Sequence, residues 1–338
     1  MDKYYSLDKK TQLLLKKVKG PIVIFGAGGF IGLNLLKSIL LYRKDVYGIS
    51  QDIKKSWRLI AADIPSINLR TCDLNEMTQV KDLISELQPH TIFNLAAYGA
   101  YSRQREYGKI YKTNINSTFA LIETLKEQGF SAYIHAGSQS EYGINSRKPK
   151  ESSELIPNSH YAVSKVANYY AVKYYGKIEK LPTIHLRLYS AYGPWEESDR
   201  LIPTLLSKGR HKKLPPLVDA NISRDFIYVG DVVSAFITSA AKMKRSIYGE
   251  AFNVATGKKT TIKELVLNTK KLLNIPYQPK FGTMANRTWD LQDWYGNTAK
   301  SNSILEWNAK ISLEEGLATT INWQKDINYD FAYWNKSE

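Results

Sequence analysis

The sequence predicts an α/β fold: a doubly wound parallel sheet with a smaller C-terminal lobe suited to holding a substrate. Three observations predict it. Short β-branched runs alternate with helix-periodic stretches between Pro21 and Leu188. The first of these runs passes through a glycine turn straight into a helix. Beyond Tyr192 the rhythm breaks, with Gly193-Pro194, Pro203 and Pro215-Pro216 in a more irregular pattern.

The first element organises the rest. Ile22–Phe25 is an apolar run of the kind buried on both faces of a parallel sheet. Gly26-Ala27-Gly28-Gly29-Phe30-Ile31-Gly32 follows, and Leu33, Leu36, Ile39 and Leu40 then recur at helical spacing. Glycines permit a tight turn and close backbone approach, and the helix N-terminus offers free N–H groups at its positive end. A glycine pattern alone says little; between strand and helix it predicts a dinucleotide diphosphate site. Gly26, Gly28, Gly29, Phe30, Ile31 and Gly32 are its expected lining.

Asp45–Ser50 reads as the second strand. NAD-binding sheets place an acidic side chain near this strand's end to receive the ribose 2′-hydroxyl. Here the end is Ser50, with Lys54-Lys55 close behind, so NADP is favoured over NAD; Asp52 keeps NAD open. Ile67–Leu69 is the third strand, after which Asp73 and Leu74 are placed at the adenine edge. Val80–Leu87 is amphipathic. Thr91–Ala97 is a fourth strand running into the small-residue turn Leu95-Ala96-Ala97, where bulky side chains would obstruct a cofactor. Ile110–Gln128 reads as one long helix, Ser131–Ala136 as a strand, Tyr161–Tyr175 as a helix and Thr183–Leu188 as a strand. Asp225–Val229 and Ala251–Val254 are further strands, so the chain is expected to cross back. The domain reading is therefore 20–191 plus a return around 224–256 for the dinucleotide unit, with 192–223 and 257–338 forming the second lobe. Residues 1–19 are expected to be a helical or loose extension, with a contact in an oligomer as one use.

Composition narrows the class. The chain has 338 residues, 43% hydrophobic and 23% charged, and can bury a sizeable core. No apolar run approaches the roughly 18 residues of a membrane span, and Leu13-Leu14-Leu15 is too short for a secretory core. One cysteine, Cys72, excludes an intrachain disulfide and fits a reducing cytoplasm. The net charge of +15 is spread along the chain rather than gathered in a block, which favours a lysine-rich surface over nucleic-acid binding.

The chemistry gathers at Tyr161 and Lys165, one turn apart and so on one helix face. A phenol with a pKa near 10 is a poor base at neutral pH. A neighbouring ammonium, together with an oxidised nicotinamide, is expected to lower that pKa. The pair then accepts a proton from an alcohol as hydride leaves, or returns it to a ketone. Some 20 residues earlier Gly137-Ser138-Gln139-Ser140-Glu141-Tyr142-Gly143 follows a strand directly. A hydroxyl there sits at the strand's C-terminal end, within reach of the reacting oxygen.

Together these residues resemble the extended short-chain dehydrogenase/reductase family, specifically its nucleotide-sugar epimerases, dehydratases and 4-keto reductases. The resemblance runs from Pro21 to about Trp323. It covers Gly26/Gly29/Gly32, NLAA at Asn94–Ala97, Thr113-Asn114, the serine-rich turn, Tyr161/Lys165 and LRLYSAYGP at Leu186–Pro194. RDFIYVGDV at Arg224–Val232, FNVATG at Phe252–Gly257 and Arg287…Asp290…Leu305–Trp307 complete it. It implies a Rossmann sheet, with Tyr161 as acid/base and Lys165 as its electrostatic partner and ribose ligand. Ser138 would orient the sugar C4 oxygen, with Ser140 competing for that part, and Asn114 would support Lys165. Arg224 and Arg287 would hold the nucleotide diphosphate. A homodimer is also implied. Two departures bear on the reaction. The 4,6-dehydratases commonly carry Asp-Glu after the hydroxyl residue, where this chain has Gln139-Ser140 with Glu141 nearby. Ser190 replaces the usual Asn at the entry to the second lobe.

The expected function is redox chemistry at C4 of a nucleotide-activated sugar. Net 4-keto reduction is preferred, on Ser50/Lys54 and the missing Asp-Glu pair. 4-Epimerisation is the close rival and 4,6-dehydration the lesser one. A non-catalytic dinucleotide sensor is the alternative from another class; an RNA-binding protein exploiting the charge is a more distant one. Tyr98–Arg103 and Trp195–Arg200 are where sugar contacts are expected by position, with Tyr98 and Arg103 as specific candidates. No metal site is expected.

Overall fold

A computed structural model of the protein describes residues 2–101, 103–284 and 291–327. Its strands, in chain order, are β1 (Ile22–Phe25), β2 (Val46–Ser50), β3 (Leu69–Thr71), β4 (Thr91–Asn94), β5 (Ala132–Ser138), β6 (Thr183–Leu188), β7 (Ser190–Tyr192), β8 (Ser223–Arg224), β9 (Phe226–Tyr228), β10 (Glu250–Val254) and β11 (Thr260–Thr261). Seven of them form one parallel sheet in the order β10-β6-β5-β4-β1-β2-β3. The chain winds outward from β1 to β3, then returns to β4 on the other side of β1. That reversal opens a crevice at the β1/β4 strand ends, where open α/β sheets bind ligands.

Both faces of the sheet are dry, as strands without polar alternation require. Ile22 and Ile24 pack with Leu33, Leu36 and Phe236 on one side; Val23 and Phe25 pack with Ile92, Leu121 and Val172 on the other. The helices Phe30–Leu40 and Val229–Ala241 cover the first face; Met77–Leu87, Ser117–Gln128 and His160–Lys177 cover the second. A third cluster, including Leu205, Leu206, Leu265, Val266 and Leu317, is the core of the smaller lobe. Its helices Leu201–Arg210, Ile262–Leu273 and Leu313–Asp326 pack around the short pairs β7–β9 and β8–β11.

The structure departs from the sequence expectations at several boundaries. Ile67–Leu69 is not a strand: Ser66–Asn68 is a 3₁₀ turn and pairing begins at Leu69. Asn68 causes this, because its side-chain amide donates to the carbonyls of Lys44 and Val46. The fourth strand ends at Asn94, leaving Leu95-Ala96-Ala97 as loop. Ile110–Gln128 is not one helix, since Lys112–Asn116 is a π turn between Tyr107–Tyr111 and Ser117–Gln128. The strand expected over Asp225–Val229 shortens to Phe226–Tyr228. Asp225 is drawn inward to accept from the backbone of Thr256, Gly257 and Gly296, and Val229 starts a helix. Residues 1–19 contain the helix Lys9–Leu15, packed on Val229–Ala241 with Tyr5, Leu15 and Val18 in the main core.

Candidate active site

Three strand ends meet at the crevice. At β1, Gly26 has φ +79°, and a Cβ there would sit 2.7 Å from the Ala96 nitrogen. A Cβ on Gly32 would sit 2.2 Å from the Gly26 carbonyl oxygen, and one on Gly28 would meet the Ser56 hydroxyl at 2.5 Å. A side chain at Gly26 or Gly32 would displace backbone, and one at Gly28 would push the Ser56 side chain aside. Gly29 is the N-cap of the helix that opens with Phe30 and Ile31, and no side chain caps it. The first N–H groups of that helix are thus left for an anion. This cradle fits a dinucleotide diphosphate, with Leu95, Ala96 and Ala97 forming its far wall beside Gly26.

Around the ribose end, Ser50 closes β2 beside Gly28. Asp52 accepts from the Lys55 backbone and pairs with its ammonium at 3.4 Å. Asp73 accepts from Gln51 Nε2 at 2.8 Å and from Asn75, so its side chain already braces the turn that holds Leu74. Arg58 was invisible to sequence reasoning because it looks like any helical surface arginine. It is buried, donates to the Trp195 carbonyl and pairs with Glu197, tying the glycine-turn side to the second-lobe entry.

The redox pair stands at the β5 end. Ser159 caps the helix His160–Lys177, accepting from Ala162 N at 3.1 Å, which places Tyr161 in the first turn and Lys165 one turn on. Lys165 is buried, donates to the Ala136 carbonyl at 2.8 Å and lies 5.7 Å from the Tyr161 ring centroid. The Ser138 hydroxyl favours the ionised form of the Tyr161 phenol. Ser140 stands behind it, its hydroxyl donating to Ser138 Oγ at 2.8 Å. The two serines therefore act in series rather than in competition.

In the protein without a dinucleotide, burial governs the ionisation of this pair. Burial pushes Tyr161 up to about 12, the Glu141 charge adds to this, and Ser138 and Arg200 oppose it. Lys165 is itself pushed down to about 8 by burial, against the pull of Glu141. Asn114, expected to support Lys165 through backbone or water contacts, spends its side chain on the Tyr98 backbone and Ser164. Its amide oxygen accepts from Tyr98 N and its amide nitrogen donates to Tyr98 O, both at 2.8 Å, and to Ser164 Oγ at 2.9 Å. It clamps the loop after β4 to the catalytic helix beside Lys165.

Sugar-side candidates are mixed. The Tyr98 phenol donates to Glu106. Arg103 pairs with Glu197 and Asp199 at 3.3 and 3.4 Å, so it latches the 98–103 region to the 195–200 loop. Ser190 accepts from Gln139 Nε2 at 3.3 Å, linking the serine turn to the second lobe. Arg224 donates to the carbonyls of Ser223 and Leu291 at the edge of that lobe. Arg287 lies outside the described residues. Arg200, the last residue of the 195–200 stretch expected to contact sugar, donates to the Ala100 carbonyl at 2.9 Å, stacks over Tyr101 and acts on Tyr161. Among the described residues no His/Cys/Asp/Glu cluster suits a metal ion, and no helix is long and apolar enough to cross a membrane.

Comparison with known proteins agrees with this geometry. The chain is similar to a UDP-glucose 4-epimerase of Mycolicibacterium smegmatis, 26% identical over 322 residues, spanning 89% of this chain and 97% of that one. It is similar to a dTDP-glucose 4,6-dehydratase of Xanthomonas campestris, 25% identical over 272 residues, 74% of this chain and 77% of that one. Among solved structures, MoeE5 in complex with UDP-glucuronic acid and NAD superposes with a TM-score of 0.78 at 26% identity, covering 91% of this chain and 99% of that one. With its family model matching residues 22–255, and with the glycine cradle and the Tyr161/Lys165 pair at one sheet edge, the chain belongs to the NAD-dependent epimerase/dehydratase family.

Proposed function

We propose that the protein is a nucleotide-sugar 4-epimerase that keeps NAD bound through each turnover. The observation that carries this reading is the placement of Glu141. Dehydration needs a carboxyl facing the sugar to help expel its C6 hydroxyl. Glu141 is completely buried and bonded to His185 and Arg187 instead. The full-length likeness to a 4-epimerase supports the same choice over net reduction.

NAD rather than NADP is supported by the NAD named with the similar MoeE5 structure. Of the cations near Ser50, Arg58 is committed to Glu197, while Lys54 and the exposed Lys55 carry the rival NADP reading. The bound dinucleotide supplies the hydride acceptor and donor. Tyr161 takes the proton of the sugar hydroxyl as the carbon is oxidised and gives it back on re-reduction. Ser138 hydrogen-bonds the same oxygen, and Lys165 steadies the phenolate as it forms. The glycine cradle holds the cofactor diphosphate on the helix N-terminus. A second reading, 4-keto reduction with NADPH, rests on Ser50 standing where NAD-binding sheets carry an acidic residue.

The test starts with denatured, freshly purified protein, whose released dinucleotide is identified by mass spectrometry. Native protein is then given UDP-, dTDP-, GDP- and CDP-hexoses and the products are followed by NMR. The expected outcome is stoichiometric NAD and interconversion of C4 epimers with no net nicotinamide turnover. An empty protein that consumes NADPH on a 4-keto sugar would replace epimerisation with reduction, and NAD without sugar conversion would leave a sensor. Tyr161→Phe is expected to lower turnover by about 10²–10⁴-fold while retaining the dinucleotide.

A further inference from the structure

Glu141 is absent from the cleft, yet it sits three residues past Ser138 in the 3₁₀ turn Gln139–Tyr142. Its Oε1 accepts from Ser138 N and from His185 Nε2, both at 2.8 Å, and its Oε2 accepts from Arg187 Nε at 2.7 Å. Arg187 is held in turn by the Tyr142 hydroxyl at 2.9 Å and the Glu151 carbonyl at 3.0 Å. Gly137 has no room for a side chain because this pair fills it: a Cβ there would meet His185 Nε2 at 2.1 Å and Glu141 Oε1 at 2.5 Å. The Oε1 that closes the capping box on Ser138 N is also the one His185 holds, so the buried carboxylate ties the Ser138 turn to β6.

We propose that Glu141 is a positioning residue for the reaction: from inside the core its carboxylate fixes the Ser138 turn at the end of β5, two residues past the Ala136 carbonyl that receives Lys165. The groups facing this arrangement are few. Tyr161 meets Ser138, Lys165, Arg200 and Tyr101. Glu141 meets His185 and Arg187, and the imidazoles of His135 and His185 stack at 5.4 Å within reach of the Lys165 charge. Burial keeps both imidazoles neutral, pushing their pKa values below the ordinary histidine range. Glu141 raises the proton affinity of Tyr161 and Lys165 together, so the resting pair is a neutral phenol beside an ammonium. At Lys165 the Glu141 carboxylate works against the lowering by burial.

The inference rests on Tyr161 and Lys165 being the acid/base pair, and its test needs no substrate. Carbon NMR of the full chain labelled at lysine ε-carbons follows the Lys165 titration, assigned by its loss in Lys165→Met. Glu141→Gln is expected to lower that midpoint by about one unit, and to carry the pH–rate profile of turnover the same way. The single variant leaves Arg187 buried without its partner and can fail to fold. The double variant Glu141→Gln/Arg187→Met is expected to fold, and is compared with Arg187→Met, in which Glu141 keeps Ser138 N and His185; its Lys165 midpoint is expected to lie below that of Arg187→Met. Equal midpoints in the two folded variants, with only the melting temperature differing, would reduce Glu141 to a structural residue. Failure of the sugar assays alone would leave the titration result standing.

Discussion

At the residue scale the decisive competition is between burial and charge. Burial dominates at both members of the pair, raising the Tyr161 phenol and lowering the Lys165 ammonium. The ammonium has turned to the Ala136 carbonyl rather than to the phenol. A positively charged nicotinamide beside Tyr161 is the influence that would bring the phenol back toward neutral pH. The buried lysine also leaves a mark on stability. Its folded-state pKa of about 8 lies below the ordinary lysine value of 10.5. Between those two values the unfolded chain binds the proton that the folded chain has lost. Stability contributed by this site therefore rises with pH across that window and is lowest below it. Lys165→Met removes the dependence. Chemical denaturation between pH 7 and 10 is expected to show wild type gaining about 1–3 kcal/mol relative to the variant. Parallel curves would mean that Lys165 is solvated.

At the scale of elements, the π turn Lys112–Asn116 does what a straight helix over Ile110–Gln128 would not. The extra residue in the turn presents Asn114 to the Tyr98 backbone, and the residues on either side remain helical. Asn114 then joins three elements: its own helix, the loop after β4, and Ser164 on the catalytic helix. Asn114→Leu keeps the volume but leaves the Tyr98 N–H and C=O unpaired. It is expected to cost about 1–3 kcal/mol in chemical denaturation. Turnover is expected to fall further than this loss of stability explains, because the wall of the cleft and the Tyr161 helix lose their common brace. A variant with normal turnover would make the clamp dispensable.

Across the whole molecule, the N-terminal segment is a strap over the chain's own body. Tyr5 accepts from Trp195 Nε1 at 2.6 Å, beside the second-lobe entry loop, and the Tyr4 hydroxyl donates to Asp326 at 2.6 Å at the end of the last helix. Leu15 and Val18 are buried against Val229–Ala241 and its neighbours. Removing residues 1–19 therefore uncovers core, and is expected to lower the melting temperature on the order of 10 °C. It is also expected to weaken nucleotide-sugar binding, since Trp195 heads the loop that Arg58 and Arg103 latch. Calorimetry and titration on the shortened chain check both; an unchanged melting temperature would make the segment an ornament.

What the sequence by itself determined was what local pattern can encode. The apolar run Ile22–Phe25 with its glycines, the strand–helix alternation and the i, i+4 spacing of Tyr161 and Lys165 each carry their meaning within a few residues. The parallel sheet and the position of the cofactor cradle follow from them. The tertiary structure decided everything that depends on a partner distant in the chain. Glu141 reads as a nearby carboxyl until His185 and Arg187, more than forty positions on, draw it into the core. Arg58 reads as a surface cation until Trp195 and Glu197 bury it. Asp225 and Asn68 move strand boundaries by bonding backbone elsewhere in the chain. A buried polar group must find its partner wherever the fold brings one, and neither periodicity nor propensity carries that information.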